Sequence, residues 1–181
     1  MATDKIEEDL ERSGKKLDKN PAMPFSSGYQ VELDISRELN PKDINKFQEL
    51  VGILRWIVEL GQVDVLFEVT ALLRFLASPR EGHLEQAYRI FGYLRAKING
   101  RMIMDPTYVD IDYSRFTKGD WETFYPDAIE EKDMNDPEPL GKEVRMTCFV
   151  DADHAGDKVT RRSYTGLVIL LNNAPIYWLC K

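Results

Sequence analysis

The stretch VRMTCFVDADHAGD, residues 144–157, decides the fold, because the hydrophobic periodicity of the chain changes where it begins. Every second residue at its start is apolar, a period that predicts a β-strand; these residues are Val144, Met146, Cys148 and Val150. Between residues 40 and 100, apolar side chains recur at steps of three and four instead, which predicts amphipathic helices. We therefore expect an α+β fold in which a helical part precedes a sheet.

Two more strands are predicted after this first one. Residues 166–171 are mostly apolar, Asn172 and Asn173 are typical of a hairpin turn, and residues 175–179 would form the returning strand. The three strands would form an antiparallel sheet. Because no covering helix follows them in this sequence, the sheet is expected to be truncated.

Three helices are predicted in the middle of the chain. The first begins at Pro41 and ends at Gly61, and the second covers residues 63–77. Ser78 is expected to cap the third helix, with Glu81 closing a capping box. Because the loops are short and no helix can bury its apolar stripe alone, we expect an antiparallel three-helix bundle.

The acidic charge of the chain is concentrated in one segment. The net charge is -7, and residues 101–140 contain eleven acidic against four basic residues, so the remainder is balanced. This segment lacks periodicity but keeps many aromatic residues: Tyr108, Phe116, Trp121, Phe124 and Tyr125. We expect an ordered acidic connector that wraps a surface. The acidic balance argues against a free-standing nucleic-acid binder.

The start of the chain and its cysteines limit the cellular context. Residues 1–28 are polar and then rich in Pro, Ser and Gly, which predicts an extended polar lead-in without a signal peptide. No long apolar run suggests a membrane span, so we expect a soluble, cytoplasmic chain. Cys148 and Cys180 form no CxxC or Cys/His cluster, which argues against a zinc site and a disulfide framework.

Acidic residues follow one another in FVDADHAGD, residues 149–157, where the first strand is predicted to end. Mg²⁺ prefers oxygen ligands held on a rigid element, so these carboxylates are candidate metal ligands. A polar Asx-type turn without a metal explains the same local sequence equally well.

Several spaced motifs carry a family resemblance. FVDADHAGD, then TRRSYTG at residues 160–166 and APIYWLCK at residues 174–181, resembles the start of the ribonuclease H domain in copia-type LTR retrotransposon Pol polyproteins. Residues 47–97 are similar to the thumb-like helices after the polymerase palm of the same polyprotein. YQVELD, DPTYVDID and DWETFYPDA extend the resemblance. Composition and the resemblance together divide the chain into four segments: a polar lead-in (1–28), a helical thumb-like region (29–100), an acidic connector (101–141) and an incomplete ribonuclease H-like domain (142–181).

The resemblance implies a parent protein that copies RNA into DNA and cleaves the RNA strand of RNA/DNA hybrids with bound Mg²⁺. Asp151 matches the first catalytic, metal-binding carboxylate of that domain. Asp153, His154 and Asp157 lie beside it, and we expect each to be a turn or supporting residue, leaving open whether they assist the metal.

Basic residues and a histidine are weaker candidates. Arg161 and Arg162 could bind nucleic-acid phosphates or clamp a strand turn, and the two interpretations are equally supported. We expect His83 to be a structural hydrogen-bonding residue. Four helical arginines could contact a duplex backbone, although solvated helix faces carry such residues by default; they are Arg55, Arg74, Arg89 and Arg95.

The resemblance also implies an incomplete enzyme. The next acidic ligands of the family would follow Lys181 and its polymerase palm would precede residue 1, so we expect this fragment to be inactive alone. Its partners would be an RNA/DNA hybrid and the rest of the Pol polyprotein, with the parent in virus-like particles or the nucleus. A decayed or domesticated retroelement product acting as a helical binding module is the alternative, and an artificially cut enzyme is a third. The flanking coding sequence would discriminate them.

Overall fold

The structure is a computed structural model that describes residues 21–115, 117, 119–127, 137 and 140–181. In this part of the chain, helices precede a three-stranded antiparallel sheet, which confirms the α+β fold class. The elements are α1 (Pro41–Glu59), α2 (Leu66–Leu73), α3 (Glu81–Ala96), the short α4 (Trp121–Phe124), β1 (Met146–Asp153), β2 (Tyr164–Leu171) and β3 (Ala174–Cys180). Short 3-10 turns cover Val31–Leu33, Val63–Val65 and Tyr113–Arg115. Residues 1–20 of the predicted lead-in and positions 116, 118, 128–136 and 138–139 of the predicted connector lie outside the described residues.

Helix α1 begins and ends close to where the sequence predicts. The Asn40 Oδ1 atom accepts a hydrogen bond from the Asp43 N–H at 3.0 Å, and Pro41 occupies the first turn, where no backbone donor is needed. Gly61 follows the helix with a φ of 114°, and a Cβ there would lie 3.1 Å from the Met102 side chain. Glycine therefore suits both the left-handed backbone and the close approach of the downstream chain.

Helix α2 is shorter than the predicted span of residues 63–77. The α-helix ends at Leu73, and a separate 3-10 turn covers Val63–Val65. Further along, the Leu39 N–H donates to the Pro79 carbonyl at 3.2 Å, and Glu38 pairs with Arg80 in an isolated bridge. The chain just before α3 therefore pairs with the segment before α1. In addition, Ser78 precedes Pro79, and the residue before a proline disfavours the helical conformation.

The predicted start of the third helix is wrong by two residues. The structure places the N-cap at Arg80 rather than Ser78, because the backbone around Pro79 is extended and paired with Leu39. His83, at the third helical position, closes the cap instead of Glu81. Its Nδ1 atom accepts a hydrogen bond from the Arg80 N–H at 3.0 Å.

The hydrophobic core lies between α1, α2 and α3. Its largest fully buried apolar side chains are Phe47, Phe91, Leu50, Leu54, Leu72 and Ile90. Phe25, Val31 and Leu39 also enter this core from the segment before α1. The described end of the lead-in therefore packs against the helices. A single aromatic residue among Pro and Ser gives no periodic signal from which this packing could be predicted.

The sheet is a β1-β2-β3 meander with antiparallel neighbours. Asn172 and Asn173 connect β2 to β3, and Asn172 has a φ of 55°, which this residue type tolerates in a turn. The predicted hairpin is therefore confirmed. Because β1 extends to Asp153, Asp151 lies inside the strand and not at its carboxyl end, in contrast to the expectation from sequence.

One face of the sheet packs against the helices. The Tyr164 ring contacts the Phe67 ring edge-on at a centroid distance of 5.0 Å, and the Trp178 Nε1–H donates to the Val58 carbonyl at 3.1 Å. Since cross-strand partners share a face, this is also the face of Asp151 and Asp153. The opposite face leaves several apolar side chains exposed: Met146, Val150, Leu171, Tyr177 and Leu179.

The first part of the connector contacts the tip of the β2–β3 hairpin. The Asn173 N–H donates to the Asp105 carbonyl at 3.2 Å, and the Asn173 side chain donates to Thr107 Oγ1 at 2.9 Å. The guanidinium of Arg145 lies 4.7 Å from the centre of the Tyr108 ring. This portion of the connector is therefore ordered on the sheet. None of the helices in the described ranges has the length and apolar character needed to cross a membrane.

Candidate metal and nucleic-acid site

Asp151 occupies an accessible position on β1, an edge strand of the sheet. It pairs with Gly166 of β2, and its side chain is exposed on the helix side of β1. An open groove there is bounded by Phe67 of α2 and by Phe149 of β1. Because its cross-strand partner is a glycine, no side chain lies directly opposite this carboxylate on β2.

Asp153 and His154 follow Asp151 at the end of β1. Asp153 shares the face of Asp151, and its carboxylate lies so close to Gly156 that a Cβ at that position would overlap it. His154 is exposed after the strand. Among the residues that the structure describes, no group of three or more His, Cys, Asp or Glu side chains could hold a metal ion. Asp151 is thus not joined by enough ligands for a two-metal site.

Asp157 has a quite different environment from Asp151. Its side chain is only 1% exposed, and Oδ1 accepts hydrogen bonds from the N–H groups of Val159 at 2.9 Å and Thr160 at 2.6 Å. The other carboxylate oxygen pairs with Arg74. Burial favours a raised pKa, but the hydrogen bonds from Thr160 and Arg74 outweigh it and lower the pKa of Asp157 to about 2. The lone pairs of this carboxylate are used within the protein, and it stabilises a turn.

Arg74 follows α2 and points into the loop after β1. Besides Asp157, its guanidinium bonds to the Tyr164 hydroxyl at 2.5 Å and lies 5.4 Å from the centre of that ring. The sequence offered Arg74 as a weak candidate for a duplex contact. Its N–H groups instead bond to side chains of the same protein. Because Arg74 and Asp157 are 83 residues apart in sequence, no local pattern could predict this pairing.

Arg161 and Arg162 lie on the surface of that loop. The Arg161 N–H donates to the Asp157 carbonyl at 2.9 Å, and the Asp157 N–H donates to the Arg162 carbonyl at 3.1 Å. Arg161 has a φ of 59°, so the backbone turns sharply there. In the described part of the chain, neither guanidinium has a hydrogen-bond or ion-pair partner. The backbone of these arginines closes the turn, while their side chains face solvent.

A cleft of about 850 Å³ separates the helices from the sheet. Its inner surface is mostly apolar and includes Val69 and Trp178. Among the described residues along its lining, basic residues outnumber the one acidic residue, Glu59; they are Arg55, Arg74, Arg162 and Lys181. Cationic groups around an apolar cleft can attract a polyanion even when the whole chain is acidic, because screening makes electrostatic contacts local. The cleft thus brings Arg55 of α1 near two basic residues that flank the strands, Arg162 before β2 and Lys181 after β3.

Helix α1 carries an exposed surface of which the sequence analysis named only Arg55. Trp56 is 64% exposed, and Gly52, one turn earlier, has no atom within 4 Å of the position of a Cβ. Arg55 is exposed beside Trp56. A tryptophan outside the apolar stripe was the available signal, since a large aromatic residue is rare on a purely solvated helix face.

His83 is buried and serves the fold. Its Nδ1 atom accepts from the Arg80 N–H, so Nε2 carries the proton and donates to the Val31 carbonyl at 3.0 Å. Burial lowers the pKa of His83, although the hydrogen bond to Val31 opposes this. These contacts agree with the structural role expected from the sequence.

Comparison with known proteins gives one similar relative. The chain is 28% identical over 140 residues to "Putative transposon Ty5-1 protein YCL074W" from Saccharomyces cerevisiae (strain ATCC 204508 / S288c), a match that covers 77% of this chain and 34% of the relative. The chain thus spans about a third of the length of the curated relative that it matches. No family model matches the sequence, and no solved structure matches it significantly. The similarity supports a retroelement-derived origin for the chain.

Proposed function

We propose that this chain is part of a copia-type retrotransposon Pol polyprotein, in which residues 29–100 are the thumb-like end of a reverse transcriptase and residues 142–181 begin a ribonuclease H-like domain. The observation that carries the proposal is the exposed Asp151 carboxylate on the first strand of an antiparallel meander. The similarity to a transposon protein over 140 residues supports it. The parent would copy RNA into DNA and cleave the RNA of RNA/DNA hybrids.

The proposed cleavage needs more ligands than the described residues bring together. When bound, Mg²⁺ would stabilise the attacking and leaving oxygens of a phosphoryl displacement. Asp151 and Asp153 share a face, but the described residues contain no third nearby acid, His or Cys that could complete a site with them. These residues do not fit the two ions that the family implies. In the proposal, Asp151 supplies one carboxylate, and residues elsewhere in the parent supply the others.

The helical unit, formed by α1, α2 and α3, would contribute nucleic-acid contacts. The exposed surface around Gly52, Arg55 and Trp56 combines an open backbone position, a cation and an aromatic ring. Arginine can pair with phosphates, and tryptophan can pack on sugars or bases. This surface is suited to positioning a duplex by its backbone, without reading its sequence.

The first experiment compares cleavage by two lengths of protein. Residues 1–181 should show no Mg²⁺-dependent cleavage of a labelled RNA/DNA hybrid, because one carboxylate cannot hold two ions. A longer Pol protein with a whole ribonuclease H-like domain should cleave it, and Asp151→Asn in that protein should abolish cleavage by removing a ligand charge while keeping side-chain size.

The matched control in the longer protein is Asp127→Asn, which removes an exposed charge from the connector. This variant should retain wild-type cleavage, and circular dichroism should show that both variants are folded. Robust cleavage by residues 1–181 alone, or full activity of the Asp151→Asn protein, would contradict the proposed role of Asp151.

A further inference from the structure

The loop between β1 and β2, residues 154–163, is organised by one buried side chain. Asp157 accepts hydrogen bonds from the backbone of Val159 and Thr160 through its carboxylate, and its own backbone bonds to Arg161 and Arg162. These contacts close a tight turn around Asp157. Both arginine side chains are exposed, and Arg162 also borders the cleft between the helices and the sheet. Because the backbones of both residues bond to Asp157, the turn determines where these side chains start.

The same loop is attached to the helical unit. Arg74, directly after α2, donates to the Asp157 carboxylate and to the Tyr164 hydroxyl, and its Nη2 lies 3.4 Å from Thr160 Oγ1. The Lys158 N–H donates to Glu32 Oε1 at 3.2 Å. A planar guanidinium with several donors in a fixed geometry restrains its partners more than a point charge does. The loop is therefore held from the helix side at more than one point.

We propose that Arg74 and Asp157 are positioning residues that fix Arg161 and Arg162 for contact with nucleic-acid phosphates. The pair would hold the turn in one arrangement before any ligand arrives, which reduces the entropy lost on binding. Neither Arg74 nor Asp157 touches the ligand in this mechanism. The ligand part rests on the function proposed above, while the restraint of the turn can be measured without nucleic acid.

Limited proteolysis measures the restraint directly on residues 1–181. Trypsin can cut after Lys158, Arg161 and Arg162, and an ordered turn resists it. Arg74→Met and Asp157→Asn should each raise the cleavage rate at these sites about ten-fold, as expected when a buried hydrogen-bonded partner is removed. Arg74→Lys keeps the charge but cannot reproduce the forked contacts, so its rate should be intermediate.

Two controls separate a local effect from general unfolding. Arg37→Met removes an exposed arginine away from the loop and should leave cleavage of the turn unchanged. Cleavage after Lys97, which follows α3, should also stay constant in every variant. If neither Arg74→Met nor Asp157→Asn raises cleavage of the turn above the wild-type rate, with cleavage after Lys97 as the internal reference, the positioning role is overturned.

Binding of an RNA/DNA hybrid at low salt tests whether the restrained turn presents Arg161 and Arg162 to nucleic acid. Asp157→Asn removes a negative charge, so a purely electrostatic role predicts tighter binding of a labelled RNA/DNA hybrid. Positioning predicts the opposite, an affinity several-fold weaker than that of the wild type, and no further loss in a background that already carries Arg161→Ala and Arg162→Ala. Unchanged or tighter binding by the Asp157→Asn variant would overturn the ligand part of the inference.

The double variant distinguishes this inference from the proposed function. Arg161→Ala with Arg162→Ala should lower the salt dependence of binding, by about 0.9 per lost phosphate contact in a plot of log affinity against log salt. If that slope is unchanged while Arg74→Met loosens the turn, the assignment of the two arginines to phosphate binding is wrong and the restraint of the loop stands.

Discussion

Asp151 and Asp157 are six residues apart in one motif, and their surroundings give them different chemistry. Asp151 is exposed opposite a glycine, whereas Asp157 is buried with backbone donors and a guanidinium around it. An exposed carboxylate can exchange water for a metal or ligand, but a carboxylate with satisfied lone pairs cannot do so without breaking the fold. Residue type alone does not separate these roles.

Trp56 should contribute to hybrid binding if α1 contacts a duplex. Trp56→Ala is expected to weaken binding at low salt several-fold, because it removes the packing of an aromatic ring against the duplex backbone. Leu60→Ala is the matched control, because Leu60 is 68% exposed directly after α1, one turn beyond Trp56, and its loss removes no aromatic ring. Fluorescence anisotropy of a labelled hybrid would measure both variants. Equal affinities for all three proteins would contradict a duplex contact at Trp56.

His83 should make stability depend on pH. Burial lowers its pKa in the folded state, so the unfolded chain binds the proton more tightly. Its contribution is complete above about pH 6.5 and is lost as the pH falls through the lowered pKa. Urea unfolding at about pH 7.5 and pH 5 should show a smaller difference for His83→Gln than for the wild type. An equal difference for the wild type and the His83→Gln variant would contradict this account.

At the scale of elements, the helices owe their stability to one shared core. Leu54 of α1 is fully buried at 0% exposure, whereas Leu73 of α2 is only partly buried. Leu54→Ala should therefore lower the free energy of unfolding by about 2 to 5 kcal/mol, and Leu73→Ala by less. Chemical denaturation would measure both. Losses below about 0.5 kcal/mol at both positions would show that the bundle is assembled differently.

The limits of the elements depended on contacts that periodicity does not encode. The start of α1 follows from Asn40 and Pro41, whose effects are local, and it was predicted correctly. The cap of α3 adjoins the pairing of Leu39 with Pro79, which joins segments distant in sequence. Local signals therefore located elements better than they located every boundary.

For the whole molecule, charge sets the expected affinity. The net charge of -7 and the acidic connector predict weak binding of an RNA/DNA hybrid at physiological salt, at best in the range of about 10⁻⁴ to 10⁻⁶ M typical of non-specific binding. Neutralising Glu130, Glu131 and Asp133 together, which lie outside the described residues, should strengthen binding by reducing repulsion. Titration of a labelled hybrid would measure this, and submicromolar binding by the unchanged chain would contradict the prediction.

The sequence by itself determined the fold class, the hairpin at Asn172 and Asn173 and the candidate carboxylate Asp151, because periodicity, turn chemistry and motifs act over a few residues. Only the tertiary structure decided which charged groups are engaged. Arg74 meets Asp157 across 83 residues, and Trp178 meets Val58 across 120. Such partners are selected by how the helices and the sheet pack, and burial then determines whether a charged side chain is held within the fold or left available to a ligand.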